Sequence, residues 1–204
     1  MDTLAQLEHD YPTFIYKTAQ EYGLSKDEIR ELSTDGTIEK LERGIYIFPG
    51  YLLDEFSLIS QKFSRSVFSL VSALIIHDLT DEMPLHYDLT FPQGYHPSAA
   101  SLKKYSIKAR YLSKKRYLLG IETGQTENGG TVQVYSKERT LLDVWESKQI
   151  QPYIKNDALK KYLANSPAAN KLKDLTEIKD KLYPNSTLLK VMEVYMQWVK
   201  LIKF

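Results

Sequence analysis

The stretch Leu24–Gly50, LSKDEIRELSTDGTIEKLERGIYIFPG, decides how the chain is read. Ser25 is a helix-capping residue type and Glu28 stands three positions on, so each can satisfy the other's backbone amide in a capping box. Leu24 before the cap and Ile29 at the fourth helical position are placed to form the hydrophobic staple that fixes how the chain enters. Ile29 and Leu32 mark the buried face. That leaves Lys26, Asp27, Arg30 and Thr34 towards the other faces. Asp35-Gly36 ends the helix, Gly36 being suited to the left-handed position beyond it. Ile38–Glu42, a turn at Arg43-Gly44 and Ile45–Phe48 predict a hairpin, with Ile45 and Ile47 alternating with Tyr46 and Phe48 as in a half-buried strand. Pro49-Gly50 closes the unit.

Upstream, Tyr16–Tyr22 reads as a short helix, and Gly23 supplies the tight turn to the capped one. Asp2–His9 reads as a first helix with Leu4 and Leu7 on one side. Tyr11-Pro12 breaks it, and Phe14 and Ile15 pack beneath. This order predicts a winged helix-turn-helix over residues 1–50. In that arrangement the capped helix lies in a major groove and the hairpin tip touches an adjacent backbone. The candidate DNA contacts are Lys26, Arg30 and Thr34 on the capped helix, Lys40 and Arg43 on the hairpin, and Lys17 and Thr18 on the preceding helix. Charge sets a condition on this reading. Met1–Gly50 carries five Lys/Arg against ten Asp/Glu, and phosphate contacts dominate DNA affinity. Lys26, Arg30, Lys40 and Arg43 must therefore share one side while the acids face away.

The whole chain has 204 residues, is 43% hydrophobic and 26% charged, and carries a net charge of +1, as an ordinary globular protein does. No apolar run approaches the ~20 residues of a membrane span, and the first residues lack a basic, apolar leader. There is no cysteine, which excludes disulfides and thiolate metal sites and points to a cytoplasmic home. The charge imbalance reverses along the chain: from Gln151 to Phe204 there are ten lysines and five acids.

Residues 51–204 predict a second, larger mixed α/β domain with a helical C-terminal end, giving an α+β chain overall. Tyr51–Asp54 is the expected hinge. Glu55–Phe63 and Ser66–His77 read as helices, the second apolar nearly all round and so buried, with His77 as a structural residue at its end. Thr80-Asp81-Glu82 reads as a solvated turn. Strands are expected at His86–Phe91, Ser106–Leu112, Tyr117–Glu122 and Thr131–Tyr135, with a turn at Asn128-Gly129-Gly130. Lys103, Lys104, Lys108, Arg110, Lys114, Lys115 and Arg116 occur here with no acid between Asp88 and Glu122, and Tyr105, Tyr111 and Tyr117 are interleaved. Amines that meet phosphates and rings that stack on bases are the ingredients of a nucleic-acid surface. A solvated face with no partner has the same composition. Lys137–Ser147 then reads as a helix with an Arg139–Asp143 surface pair worth a few tenths of a kcal/mol. Asp157–Ala164, Ala168–Leu182 and Thr187–Ile202 complete the helical end, where Trp198, Leu201 and Phe204 form an aromatic stripe expected in the core.

Nothing points to catalysis or to a cofactor. The nucleotide-binding, zinc-protease and serine-hydrolase motifs are absent. Glu146-Ser-Lys148 and Glu177-Ile-Lys179 match the short acid-x-Lys element of some nucleases, but both fall in helices without the strand that precedes it there.

Three segments in order resemble the AbiEi family, antitoxins of type IV toxin–antitoxin systems linked to abortive phage infection. They are ERGIYIFP at Glu42–Pro49, SALIIHDLTDEMP at Ser72–Pro84, and VYSKERTLLDVW at Val134–Trp145. Asp78 stands where the family pattern leads one to expect Gly. The resemblance implies an N-terminal winged helix that represses its own operon by binding inverted repeats in the promoter. It also implies a C-terminal antitoxin domain that opposes a nucleotidyltransferase-like toxin without forming a stable complex with it. The alternative is an RNA- or nucleotide-binding module that acts through the basic surface of the C-terminal domain.

Overall fold

A computed structural model describes residues 3–164 and 169–202, with side chains described to residue 164 and from 172 to 197. The fold is mixed α/β, and the chain divides into two compact units, Met1–Val67 with Thr123–Gln133, and Phe68–Glu122 with Val134–Phe204. The first unit is thus larger than the 1–50 expected, and it draws in a segment from far along the chain.

The first unit runs α1 (Thr3–Asp10), β1 (Thr13–Ile15), α2 (Tyr16–Glu21), α3 (Lys26–Thr34), β2 (Glu39–Glu42), β3 (Ile45–Ile47) and α4 (Glu55–Lys62). Its sheet has the order β1-β3-β2 and both pairings are antiparallel, with Phe14 opposite Tyr46 and Lys40 opposite Tyr46 from the other side. Leu7, Phe14, Ala19, Ile29, Ile38 and Phe48 are buried together beneath it. Each large side chain so buried contributes ~1.5–3 kcal/mol. Gly23, Gly36 and Gly44 all have positive φ, as the turns read from sequence require.

The loop 123–133 is held in this unit by Asp54. The carboxylate caps α4 through Ser57 N–H at 2.9 Å, and it also accepts from the Thr126 hydroxyl and from Gly130 N–H at 3.2 Å. Asn128 Nδ2 donates to Leu53 O.

The second sheet has the order β6-β5-β4-β8-β7, from β4 (Val67–Phe68), β5 (Tyr87–Pro92), β6 (Ile107–Leu112), β7 (Ile121–Gln125) and β8 (Thr131–Tyr135). β5 and β6 are parallel, as are β4 and β8. The helices are α5 (Leu70–Ile76), α6 (Ala99–Lys104), α7 (Lys114–Leu118), α8 (Lys137–Glu146), α9 (Pro152–Ala164), α10 (Ala169–Leu182) and α11 (Leu188–Ile202). Leu74, Leu141, Leu142, Leu159, Leu175 and Met192 join α5, α8, α9, α10 and α11 in one core.

Three expectations are corrected. The helix read over Ser66–His77 begins only at Leu70, because Val67-Phe68 is a strand bridged to Val134. The strand read over Tyr117–Glu122 is split, since Tyr117 and Leu118 end α7 and β7 starts at Ile121. The Arg139–Asp143 pair is not on the surface but fully buried. Asp78 has φ +55°, a left-handed conformation that Gly adopts freely and Asp tolerates. His77 Nε2 lies 2.6 Å from Tyr135 O; it is therefore the protonated nitrogen, and burial lowers the pKa of the ring. Asp81 is exposed and pairs with Lys161. Trp198, Leu201 and Phe204 lie outside the described side chains. Among the described residues no helix is long and apolar enough to cross a membrane.

Candidate nucleic-acid interface

α3 is built as its sequence dictates. Ser25 Oγ accepts from Glu28 N–H at 3.2 Å, and Glu28 Oε2 accepts from Ser25 N–H at 2.7 Å. These bonds hold the Glu28 carboxyl below its ordinary range, so it enters the helix as an anion at the positive end of the helix dipole. Ile29, buried at 1% exposure, anchors the inner face and fixes the rotation of the outer one. Lys26, Arg30 and Thr34, spaced by four, therefore rise along one line.

That line forms one wall of a cleft of ≈ 270 Å³. Lys40 comes in from β2, while Tyr16 and Tyr46 supply aromatic walls. Four residues singled out from sequence, Lys26, Arg30, Thr34 and Lys40, thus meet at one surface. Among the described residues no acid lines it. Glu28 is turned back into its cap, and Asp27 and Glu31 project from the neighbouring face of the helix. The acidic balance of residues 1–50 is therefore not the composition of the cleft lining. Three cations line the cleft, and in a concave surface like-signed charges reinforce one another at an incoming phosphate.

The other candidates are placed elsewhere. Arg43 is exposed at the β2–β3 turn, where Tyr16 N–H donates to Gly44 O at 2.9 Å and ties the turn to α2. Lys17 is exposed but pairs with Glu21 at 3.3 Å. It borders a second cleft of ≈ 180 Å³ with Glu21, Tyr22 and Gln61. Thr18 is 5% exposed: with Ala19 it is buried on α2, and it lines the same cleft as Lys17. Beside that cleft Asp10 accepts from the Tyr22 hydroxyl at 2.6 Å and from Gln6 at 2.9 Å. These bonds, with His9, lower its pKa to about 2.

The basic window of the second unit is also divided. Lys103, Lys104, Lys108, Lys114, Lys115 and Arg116 are exposed. Arg110 is not free to join them, since its guanidinium binds the buried Asp143 carboxylate and its Nε reaches Thr90 Oγ1 at 3.4 Å. Arg116 lies 5.7 Å from the Tyr183 ring centroid. Lys108 and Arg110 do share a face of β6, as alternation predicts, but that face leads Arg110 to an acid rather than to solvent. Sequence reasoning missed Tyr16 and Tyr46 as cleft walls. The pairing of Tyr46 with Lys40 is a matter of strand register, which no local signal announces.

Among the described residues no group of three or more His, Asp or Glu is arranged to hold a metal ion. No family model matches the chain, and no curated protein does so either. Among solved structures it is similar to the RV2827C protein from Mycobacterium tuberculosis, at 14% identity and a TM-score of 0.48, covering 87% of this chain and 69% of that one.

Proposed function

We propose that this chain is a DNA-binding antitoxin of the AbiEi type. On this reading its first unit is a winged helix-turn-helix that represses its own operon at inverted repeats, with α3 as the recognition helix and the β2–β3 hairpin as the wing. The observation that carries the DNA-binding part is the convergence of Lys26, Arg30 and Lys40 on one cleft that no acid among the described residues lines. The order helix, strand, helix, helix, hairpin, with β3 between β1 and β2, supports the same reading, because it leaves α3 on the outside of the unit. The antitoxin part rests on the resemblance of the three segments quoted above. Its partner is a nucleotidyltransferase-like toxin opposed without a stable complex.

The test is binding of the full chain to the DNA upstream of its own reading frame. An Arg that makes a bidentate contact to guanine is worth ~1–3 kcal/mol of discrimination. Arg30→Ala is expected to weaken operator binding roughly tenfold while narrowing the gap to random DNA. Arg43→Ala is expected to weaken both DNAs alike and to reduce the salt dependence. Equal affinity of the unaltered protein for operator and random DNA defeats the proposal. Rescue of toxin-expressing cells by the chain, with no complex on a sizing column, is the expected result for its antitoxin half.

A further inference from the structure

We propose that the carboxyl ends of β5 and β6 form a binding surface for single-stranded nucleic acid, on which Tyr111 and His96 stack a base and Lys114 and Lys115 meet the flanking phosphates. This surface lies within the second unit and does not depend on how α3 is read.

The platform is rigid from beneath. β5 and β6 run parallel with Phe91 opposite Tyr111. Phe91 is fully buried, and the Tyr111 ring stacks over it at 5.9 Å and 29°. After β5 the chain turns at Gln93-Gly94, where Gln93 N–H donates to Leu112 O at 2.8 Å. The turn brings exposed His96 to 5.4 Å from Tyr111 at a tilt of 44°. Tyr111 nevertheless remains 39% exposed, so an anchored aromatic surface is left facing water. These rings stand towards the carboxyl ends of the two parallel strands.

Charge and shape then select the occupant. β6 passes into α7, which starts with exposed Lys114 and Lys115, three and four residues beyond Tyr111. No acid occurs anywhere from residue 89 to residue 121. Rings followed closely in the chain by exposed ammonium groups suit an unpaired base and its neighbouring phosphates. Bases in a duplex are already stacked on their neighbours and present only their edges, so a duplex gains little from such a surface. Lys108 alternates to the other face of β6 from Tyr111 and takes no part.

The experiment titrates the full chain into labelled oligouridylate and oligothymidylate of roughly 12 nucleotides, a length within the span of single-strand sites. The expected result is measurable binding of at least one. The tighter of the two identifies RNA or DNA as the source of the ligand. Tyr111→Ala is expected to weaken it roughly fivefold or more, the scale on which one base–aromatic stack counts. Tyr111→Trp should retain it, with indole emission quenched on binding. Lys114→Gln and Lys115→Gln should each lower the salt slope by about 0.7. Arg30→Ala should leave single-strand affinity unchanged, and Tyr111→Ala should leave operator affinity unchanged, so the two sites stand or fall separately. The proposal is overturned if neither oligonucleotide binds, if Tyr111→Ala and His96→Ala both bind like the unaltered protein, or if a random duplex competes as well as the single strand.

Discussion

The cleft along α3 and the cluster around Asp143 both gather cationic side chains, under opposite electrostatic conditions. In the cleft Arg30 is exposed beside Lys26 and Lys40, and among the described residues no acid lines the surface. Around Asp143 two arginines share one carboxylate: Arg139 Nε donates at 3.0 Å and Arg110 from the other side. Arg139 is fully buried. Its Nη1 donates to the carbonyls of Arg116 and Leu119, both at 3.1 Å, its Nη2 has no hydrogen-bond partner among the described residues, and its guanidinium lies 4.5 Å from the Tyr135 ring centroid. The Tyr183 hydroxyl also donates to Asp143, and burial, aided by that carboxylate, pushes its pKa up to about 12. An ion cluster of this kind is consumed in holding α8 and β6 together. Unpaired cations at a surface add little to stability but remain available to a partner. An arginine in a basic stretch thus becomes a binding residue only when the fold brings it no acid.

The largest expected effect breaks the internal cluster. Asp143→Ala leaves Arg139 charged and buried without its counter-ion, which costs about 3–5 kcal/mol. Arg30→Ala, at an exposed site, should shift stability by less than about 0.5 kcal/mol. Denaturant titration of the two variants measures the contrast directly. A loss below about 1 kcal/mol for Asp143→Ala would mean that water reaches the cluster and that Arg110 is available to a partner after all.

The same contrast explains what the sequence does and does not disclose. The cap, the start and the end of α3 are legible because Ser25, Glu28 and Asp35-Gly36 act within a few residues of one another. The face that carries Lys26 and Arg30 follows from the burial of Ile29, again a local matter. Arg110 could not be placed in this way, because its acid lies on α8 and is reached only when β6 packs at the sheet edge. The Arg139–Asp143 pair has the spacing of a surface pair, and nothing local indicates that β6 and α7 cover it. Val67-Phe68 was hidden for a related reason: an apolar run without period is compatible with helix or strand, and the deciding partner, Val134, is remote. Thr18 shows the limit at single-residue scale, since on a helix as short as α2 periodicity does not fix which side is inside.

A smaller effect is expected in the first unit, where the loop 123–133 meets Asp54. A Cβ on Gly130 would overlap the Asp54 carboxylate and Ser57, whose Oγ would lie at 2.7 Å. Overpacking of this kind costs typically ~1–3 kcal/mol, and it displaces the N–H that Asp54 accepts. Gly130→Ala should therefore destabilise the first unit, whereas Gly129→Ala is opposed mainly by its φ of +85°. A chain cut after Val67 loses the whole loop and leaves the Asp54 carboxylate with only Ser57 N–H. It should show reduced amide protection around α4 in hydrogen exchange. Full protection in the cut chain would mean that the loop is a passenger rather than a part of the unit.

The smallest effect separates the stability of α3 from its charge. Ser25→Ala removes the hydroxyl that accepts from Glu28 N–H and costs about 1 kcal/mol, fraying the turn that carries Lys26. Ser25→Asp keeps an acceptor at the cap, and a negative group at a helix N-terminus is stabilising by a few tenths of a kcal/mol; beside Glu28, mutual repulsion offsets part of that gain. Its melting temperature should stay near that of the unaltered protein. The new carboxylate, however, stands one residue before Lys26, which lines the cleft. If the cleft receives phosphates, Ser25→Asp should bind DNA more weakly than Ser25→Ala although it is the more stable of the two, and the gap should close as salt is raised and screens the added charge. If affinity instead follows stability, with Ser25→Ala the weaker binder, then the order of α3 and not the field of its cations governs binding, and the contrast between the cleft and the Asp143 cluster fails on its first side.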